Sequence, residues 1–162
     1  MSSEIIILLF IFLFFLLLIG GIFLIAYLAA QSRKKKQKKM LETLPSDVEF
    51  LSFVRFNRGS QQDKFLKLKA FQGSGIIYVE DDKAVFKSTT GFEHIFDLRN
   101  SKIFWEGENL VNGLLKWFSI NDGQEKLYLN VESGMFIFHT GGNKPTTRSI
   151  HDQLLLKQAR LK

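Results

Sequence analysis

The chain has 162 residues, a formal net charge of +6 and no cysteine, which suits one modest domain and excludes disulfides, thiolate metal sites and a Cys nucleophile. Its charge is uneven: residues 1–44 carry six Lys/Arg against Glu4 and Glu42, a net of +4, while residues 45–162 carry sixteen against fourteen Asp/Glu, a net of +2. A basic excess confined to one end is not the folded basic face that nucleic-acid binding requires, so no nucleic-acid partner is expected.

Ile5 to Ala30 is a run of twenty-six residues without a charged side chain, dominated by Ile, Leu and Phe. At the rise of an α-helix it is roughly 39 Å long, more than the ~30 Å hydrocarbon core of a bilayer. A single helix satisfies its own amides there and needs no partner. A cleaved signal peptide fits poorly. The head Met-Ser-Ser-Glu has no cationic side chain, the apolar run exceeds the roughly 7–15 residues of such a segment, and a cut after Ala30 would put Leu28 where a small residue belongs. Residues 1–31 therefore read as a transmembrane anchor, with Gly20 and Gly21 tolerated in a lipid-facing helix.

Residues 32–44 read as a basic juxtamembrane linker. Arg33, Lys34, Lys35, Lys36, Lys38 and Lys39 all lie on the C-terminal side of the span, so that side is expected in the cytoplasm and the N-terminus outside. The run reads either as a topology determinant alone or also as an attraction for anionic headgroups, at about 1 kcal/mol per charge. Leu44-Pro45 marks the expected domain boundary, because a residue before Pro is pushed out of helical geometry.

From there the pattern is of short β-branched and aromatic runs between turn residues. Val48–Phe56 is expected as the first strand, with a short helix capped by Ser46 and Glu49 as the alternative. Asn57-Arg58-Gly59-Ser60 reads as a turn, Phe65–Phe71 as a half-buried strand, Gly73-Ser74-Gly75 as punctuation and Ile76–Val79 as a strand. Asp81-Asp82 is the next turn and Ala84–Lys87 the return strand. Phe92–Leu98 and Lys102–Trp105 follow, separated by Arg99-Asn100-Ser101. Leu114–Ile120 and Lys126–Val131 flank the hairpin signal Asp122-Gly123, and Met135–His139 precedes Gly141-Gly142. After Pro145, Thr146 or Thr147 can cap a helix whose Ile150, Leu154 and Leu161 fall near one face, with Leu155 and Leu156 beside it.

Seven or eight short antiparallel strands and then one helix is the order of a pleckstrin-homology-like barrel. Phe71-Gln-Gly-Ser-Gly-Ile-Ile-Tyr-Val-Glu-Asp-Asp-Lys-Ala-Val-Phe86 resembles the glycine–strand–turn–strand core of GRAM and bacterial PH-like domains, and Phe96-Asp-Leu-Arg-Asn-Ser-Lys-Ile103 resembles the segment after it. Where such domains often place Thr in the turn, this chain has Glu80 or Asp81. The fold expected is mostly β: a PH-like antiparallel barrel or sandwich over 45–162 with a C-terminal capping helix, behind one transmembrane helix. The resemblance implies that basic residues near the first strands receive anionic lipid headgroups, which here means Lys64, Lys67 and Lys69, with Arg55 and Arg58 upstream. The competing reading is the ordinary polar face of an antiparallel sheet, where Lys discourages edge pairing.

Catalytic chemistry is not apparent. His94, His139 and His151 lack the spacing that aims two imidazoles at one metal. Glu80, Asp81 and Asp82 occupy a turn, where acidic residues serve the backbone. No nucleophile elbow or phosphate cradle is present. Trp105, Trp117 and Phe118 are expected to fill the barrel. The function expected is a membrane-anchored, non-catalytic module, without metal or cofactor, that binds anionic lipid headgroups or a protein partner at the cytoplasmic membrane face. A scaffold subunit recognising protein without lipid specificity competes with it, as does an enzyme assembled by folding around His94, His139 and a carboxylate.

Overall fold

The computed structural model describes residues 3–46, 48–62, 64, 70–109, 115–131 and 145–162. The chain divides into two compact units, Met1–Lys36 and Gln37–Lys162. The first is helix α1, which as a whole runs Ser3–Leu41. It exposes its Ile, Leu and Phe side chains on all sides and is long and apolar enough to cross a membrane.

The second unit carries seven strands: β1 (Phe50–Arg58), β2 (Gly73–Glu80), β3 (Lys83–Ser88), β4 (Glu93–Asp97), β5 (Lys102–Asn109), β6 (Leu115–Asn121) and β7 (Lys126–Val131). A short helix α2 (Gly59–Gln62) follows β1, and α3 (Thr147–Leu161) ends the chain. The strands form one antiparallel sheet in the order β4-β3-β2-β1-β7-β6-β5. The sheet curls into a half-barrel. Its concave face buries Val54, Phe56, Ile77, Val79, Phe86, Phe96, Phe118, Ile120, Leu127 and Leu129, together with Ile150 and Leu154 of α3. Alternation along each strand sends every second side chain to this face.

A second, smaller cluster occupies the convex face. Ile76, Tyr78 and Val85 are buried there, with Met40, Leu44, Val48, Leu51 and Phe53 packed against them. The compact unit thus begins at Gln37, upstream of the boundary expected at Leu44-Pro45, because Met40 in the last turn of α1, with Leu44 and Val48, covers apolar sheet surface. Gln37 donates from Nε2 to the carbonyl of Gly75 at 3.0 Å and is buried. Gln37 and Met40 lie three residues apart on one face of α1, and Leu44 follows just beyond its end.

Several boundaries differ from the sequence expectation. Asn57 and Arg58 belong to β1 and form no turn, since β7 pairs with them at Tyr128 and Leu127. Gly73, Ser74 and Gly75 are not punctuation: they pair with Phe56, Arg55 and Val54. A Cβ at Gly75 would lie 2.2 Å from the Lys87 carbonyl oxygen, so glycine is there for close backbone approach. Val48 lies outside β1, and neither strand nor helix forms at 48–49. β5 runs on to Asn109 through a bulge between Trp105 and Gly107. Phe118 joins the core, whereas Trp117, equally buried, points to the other face. The strands expected at Phe65–Phe71 and Met135–His139 fall at 65–69 and 135–139, outside the described residues.

Candidate functional site

The candidate site is cationic, so the question is which positive charges are committed to partners within the chain. On the sheet and α3, most are. Arg58 forms a bidentate pair with Glu125 and stacks over Phe92, with 4.8 Å to the ring centre. Lys87 reaches Glu93 at 3.2 Å, Arg99 reaches Asp82 at 3.5 Å and Lys116 reaches Glu108 at 3.5 Å. Lys126 and Ser119 share Glu106 Oε1, at 3.0 and 2.6 Å. Arg148 lies 3.2 Å from Asp152, and Lys157 pairs with Glu49. Burial works against the charge of Lys87, but the hydrogen bonds it donates to Glu93 and Tyr78 outweigh it and hold its pKa above the ordinary lysine value. Tyr128 and Glu106 do the same for Lys126. Glu125 likewise raises Arg58.

The residues expected to receive headgroups surround the β1–β2 connection. Arg55 sits over the Phe71 ring, 5.0 Å from its centre. Lys64 is exposed, and Lys67 and Lys69 lie outside the described residues. Asn57 holds the connection at both ends: its Nδ2 donates to Gln62 Oε1 at 2.7 Å and to the Ala70 carbonyl at 3.1 Å, while its Oδ1 accepts from the Gln72 amide at 2.7 Å. Sequence reasoning assigned Asn57 to a turn and missed this role. The sequence carries no mark of it, because the burial that obliges Asn57 to find several close partners follows from the pairing of β1 with β7.

The α1 terminus differs. Lys34, Lys35, Lys36, Lys38 and Lys39 are exposed, and among the described residues none of the five has an ion pair. Arg33 is half-buried. Gln37, the one uncharged residue between Arg33 and Lys39, is the one that packs on the sheet.

The titratable groups considered for catalysis have structural partners. His94 lies on β4 with Nε2 2.7 Å from Asp122 Oδ2; an ionised carboxylate only accepts, so that nitrogen carries the proton. Burial opposes ionisation of Asp122, but the Glu125 and Gln124 amides and His94 outweigh it and hold the carboxyl below its ordinary value. His151 is buried on α3, its Nδ1 2.7 Å from Asp152 Oδ1 and its ring edge-on to Trp105. Hydrogen bonding from His151 lowers the Asp152 pKa. Asp81 takes a positive φ of 53° in the β2–β3 turn. His139 lies outside the described residues. Among the described residues, no group of three or more His, Asp or Glu could hold a metal.

Comparisons with protein-family models, curated proteins and solved structures found no match.

Proposed function

We propose that this chain is a single-pass, membrane-anchored, non-catalytic module whose PH-like half-barrel works at an anionic leaflet on the cytoplasmic side. Lys34, Lys35, Lys36, Lys38 and Lys39 supply the headgroup attraction. The observation that carries this reading is the clustering of uncommitted charge: these five lysines are exposed without ion pairs among the described residues and fall within positions 34–39, whereas Arg58, Lys87, Arg99, Lys116, Lys126, Arg148 and Lys157 each have a carboxylate partner and the exposed, unpaired Lys83 and Lys102 stand singly on separate strands. The five lie on the C-terminal turns of α1, after its apolar stretch of spanning length, where basic residues mark the cytoplasmic side. The strand order and the single C-terminal helix support the PH-like assignment, and Lys64, Lys67 and Lys69 in the β1–β2 connection are its secondary headgroup contacts. A scaffold reading draws on Ile95 and Phe104, exposed on the two outermost strands, where a protein partner can add a strand.

The test uses the full chain extracted in neutral detergent, with retained lipids counted by native mass spectrometry. Anionic lipid retained by the native chain and lost when Lys34, Lys35, Lys36, Lys38 and Lys39 become Gln supports the reading. Equal retention by both chains overturns it. Retention lost only when Lys64, Lys67 and Lys69 become Gln moves the contact to the β1–β2 connection.

A further inference from the structure

We propose that the outward face of α3 is a second membrane contact, in which Leu155 and Leu156 enter the headgroup layer of an anionic leaflet and Arg160 and Lys162 pair with its lipids. The proposal rests on the anchored reading above. The inward face of α3 is accounted for: Ile150, His151 and Leu154 are buried, and Leu161 packs on the core. The outward face is not. Among the described residues beyond α1, the exposed large apolar side chains are Ile95, Phe104, Leu155 and Leu156. Only the last two are adjacent. At about 100° per residue, Leu155, Leu156 and Ala159 share one arc of the helix, and Arg160 lies one turn beyond Leu156.

The charges on the same helix are sorted. Arg148 is held by Asp152 and stacks over Trp105, and Lys157 is held by Glu49. Arg160 and Lys162 have no ion pair among the described residues, and both are exposed. Cations are favoured at a helix C-terminus by its dipole, which accounts for their position but not for two solvent-facing leucines beside them. An exposed apolar strip flanked by unpaired cations is the pattern of a helix lying in a membrane interface.

A protein partner fits less well. A specific protein interface buries roughly 800 Å² on each side, far beyond two leucines. A headgroup layer requires no complementary shape. Gln37, where the second unit begins, also lies within the basic run that follows the apolar span, so the anchor keeps the domain at high effective concentration near lipid, and a small contact suffices.

Because the chain has no cysteine, Ala159→Cys places one fluorophore between the leucines and Arg160 without altering them. Full chains labelled there, or at Leu18→Cys within the span, are placed in neutral or anionic nanodiscs containing lipids with a nitroxide quencher on the headgroup and chain. The Leu18 label reports the anchor. The expected result is quenching at both positions in anionic discs, with quenching at 159 abolished by Leu155→Ser/Leu156→Ser. Arg160→Gln and Lys162→Gln each weaken it roughly fivefold, the equivalent of about 1 kcal/mol per charge. Quenching at 18 with none at 159 overturns the proposal and leaves the face to a protein partner, as does quenching at 159 that survives the double serine variant. Absence of quenching at both positions overturns the anchored reading as well. Both leucines are exposed, so an unchanged melting temperature of the serine variant verifies that the fold is retained.

Discussion

Asn57 shows how one side chain can organise a connection it does not belong to. It is buried in β1, and its amide spans from α2 to residues 70–72. Asn57→Ala leaves Gln62 Oε1, the Ala70 carbonyl and the Gln72 amide without this partner, so a loss of roughly 2–3 kcal/mol is expected. Thermal melting of the full chain in detergent measures it, and an unchanged melting temperature would mean that water replaces the amide. Gly75 acts by absence: β2 and β3 approach so closely there that a methyl group would strike the Lys87 carbonyl. Gly75→Ala is expected to cost roughly 3 kcal/mol or more, at the severe end for a single substitution. Gly73→Ala meets the Phe56 ring instead, a core side chain that yields more readily than backbone. The ranking Gly75 worse than Gly73, read from the two melting temperatures, is the sharper check.

At the scale of elements, α3 is joined to the sheet at its first turn. Thr146 Oγ1 accepts from the Ser149 amide at 3.0 Å, and Ser149 Oγ accepts from the Thr146 amide at 2.8 Å, closing a capping box. The next residue, Thr147, is buried and accepts through Oγ1 from the Val131 amide at 3.1 Å and from Asn130 Nδ2 at 3.3 Å. The two threonines therefore do different work. Thr146→Ala is expected to cost about 1 kcal/mol as a lost cap. Thr147→Val keeps the volume but strands two donors in the interior, and is expected to cost about 1–3 kcal/mol. Urea unfolding of the two variants distinguishes them; the reverse order would mean that cap and sheet contact are misassigned. At the other end of α3, Gln158 donates to the Leu98 and Ser101 carbonyls, so the β4–β5 connection is bound to the helix that covers it.

Across the whole half-barrel, the decisive contact joins β4, one edge of the sheet, to the β6–β7 turn. His94 and Asp122 form it. Phe92 stacks on His94 and lies under Arg58, and Arg58 in turn holds Glu125 of the same turn. The curl is thereby closed across a gap that no backbone ladder bridges among the described residues. Asp122 has a folded pKa below its ordinary value, so its contribution is fully present above the unfolded carboxyl value of about 3.9 and is lost as pH falls through the folded value. Asp122→Asn removes that part of the acid dependence. Its melting temperature is expected to lie below that of the native chain at pH 6 and to converge on it as pH falls below about 4. A constant gap across the range would assign Asp122 a role in geometry alone.

The sequence by itself determined the features that depend on local pattern: the apolar span and its basic flank, the Asp81-Asp82 and Asp122-Gly123 turns, the Lys126–Val131 strand and a threonine cap at 146 or 147, which the structure places at Thr146. Each rests on a side-chain period or a preference of the backbone at one position, and both are written in adjacent residues. Only the tertiary structure decided that Gln37, Met40 and Leu44 belong to the domain, because their burial depends on Ile76, Tyr78 and Val85, far along the chain. The same holds for Gly73 to Gly75 as strand, for the split of Trp117 from Phe118, and for Arg58 being tied to Glu125 and thus committed within the fold. A charge is available or spent according to what the fold brings beside it, and spacing along one strand carries no record of its neighbours across the sheet.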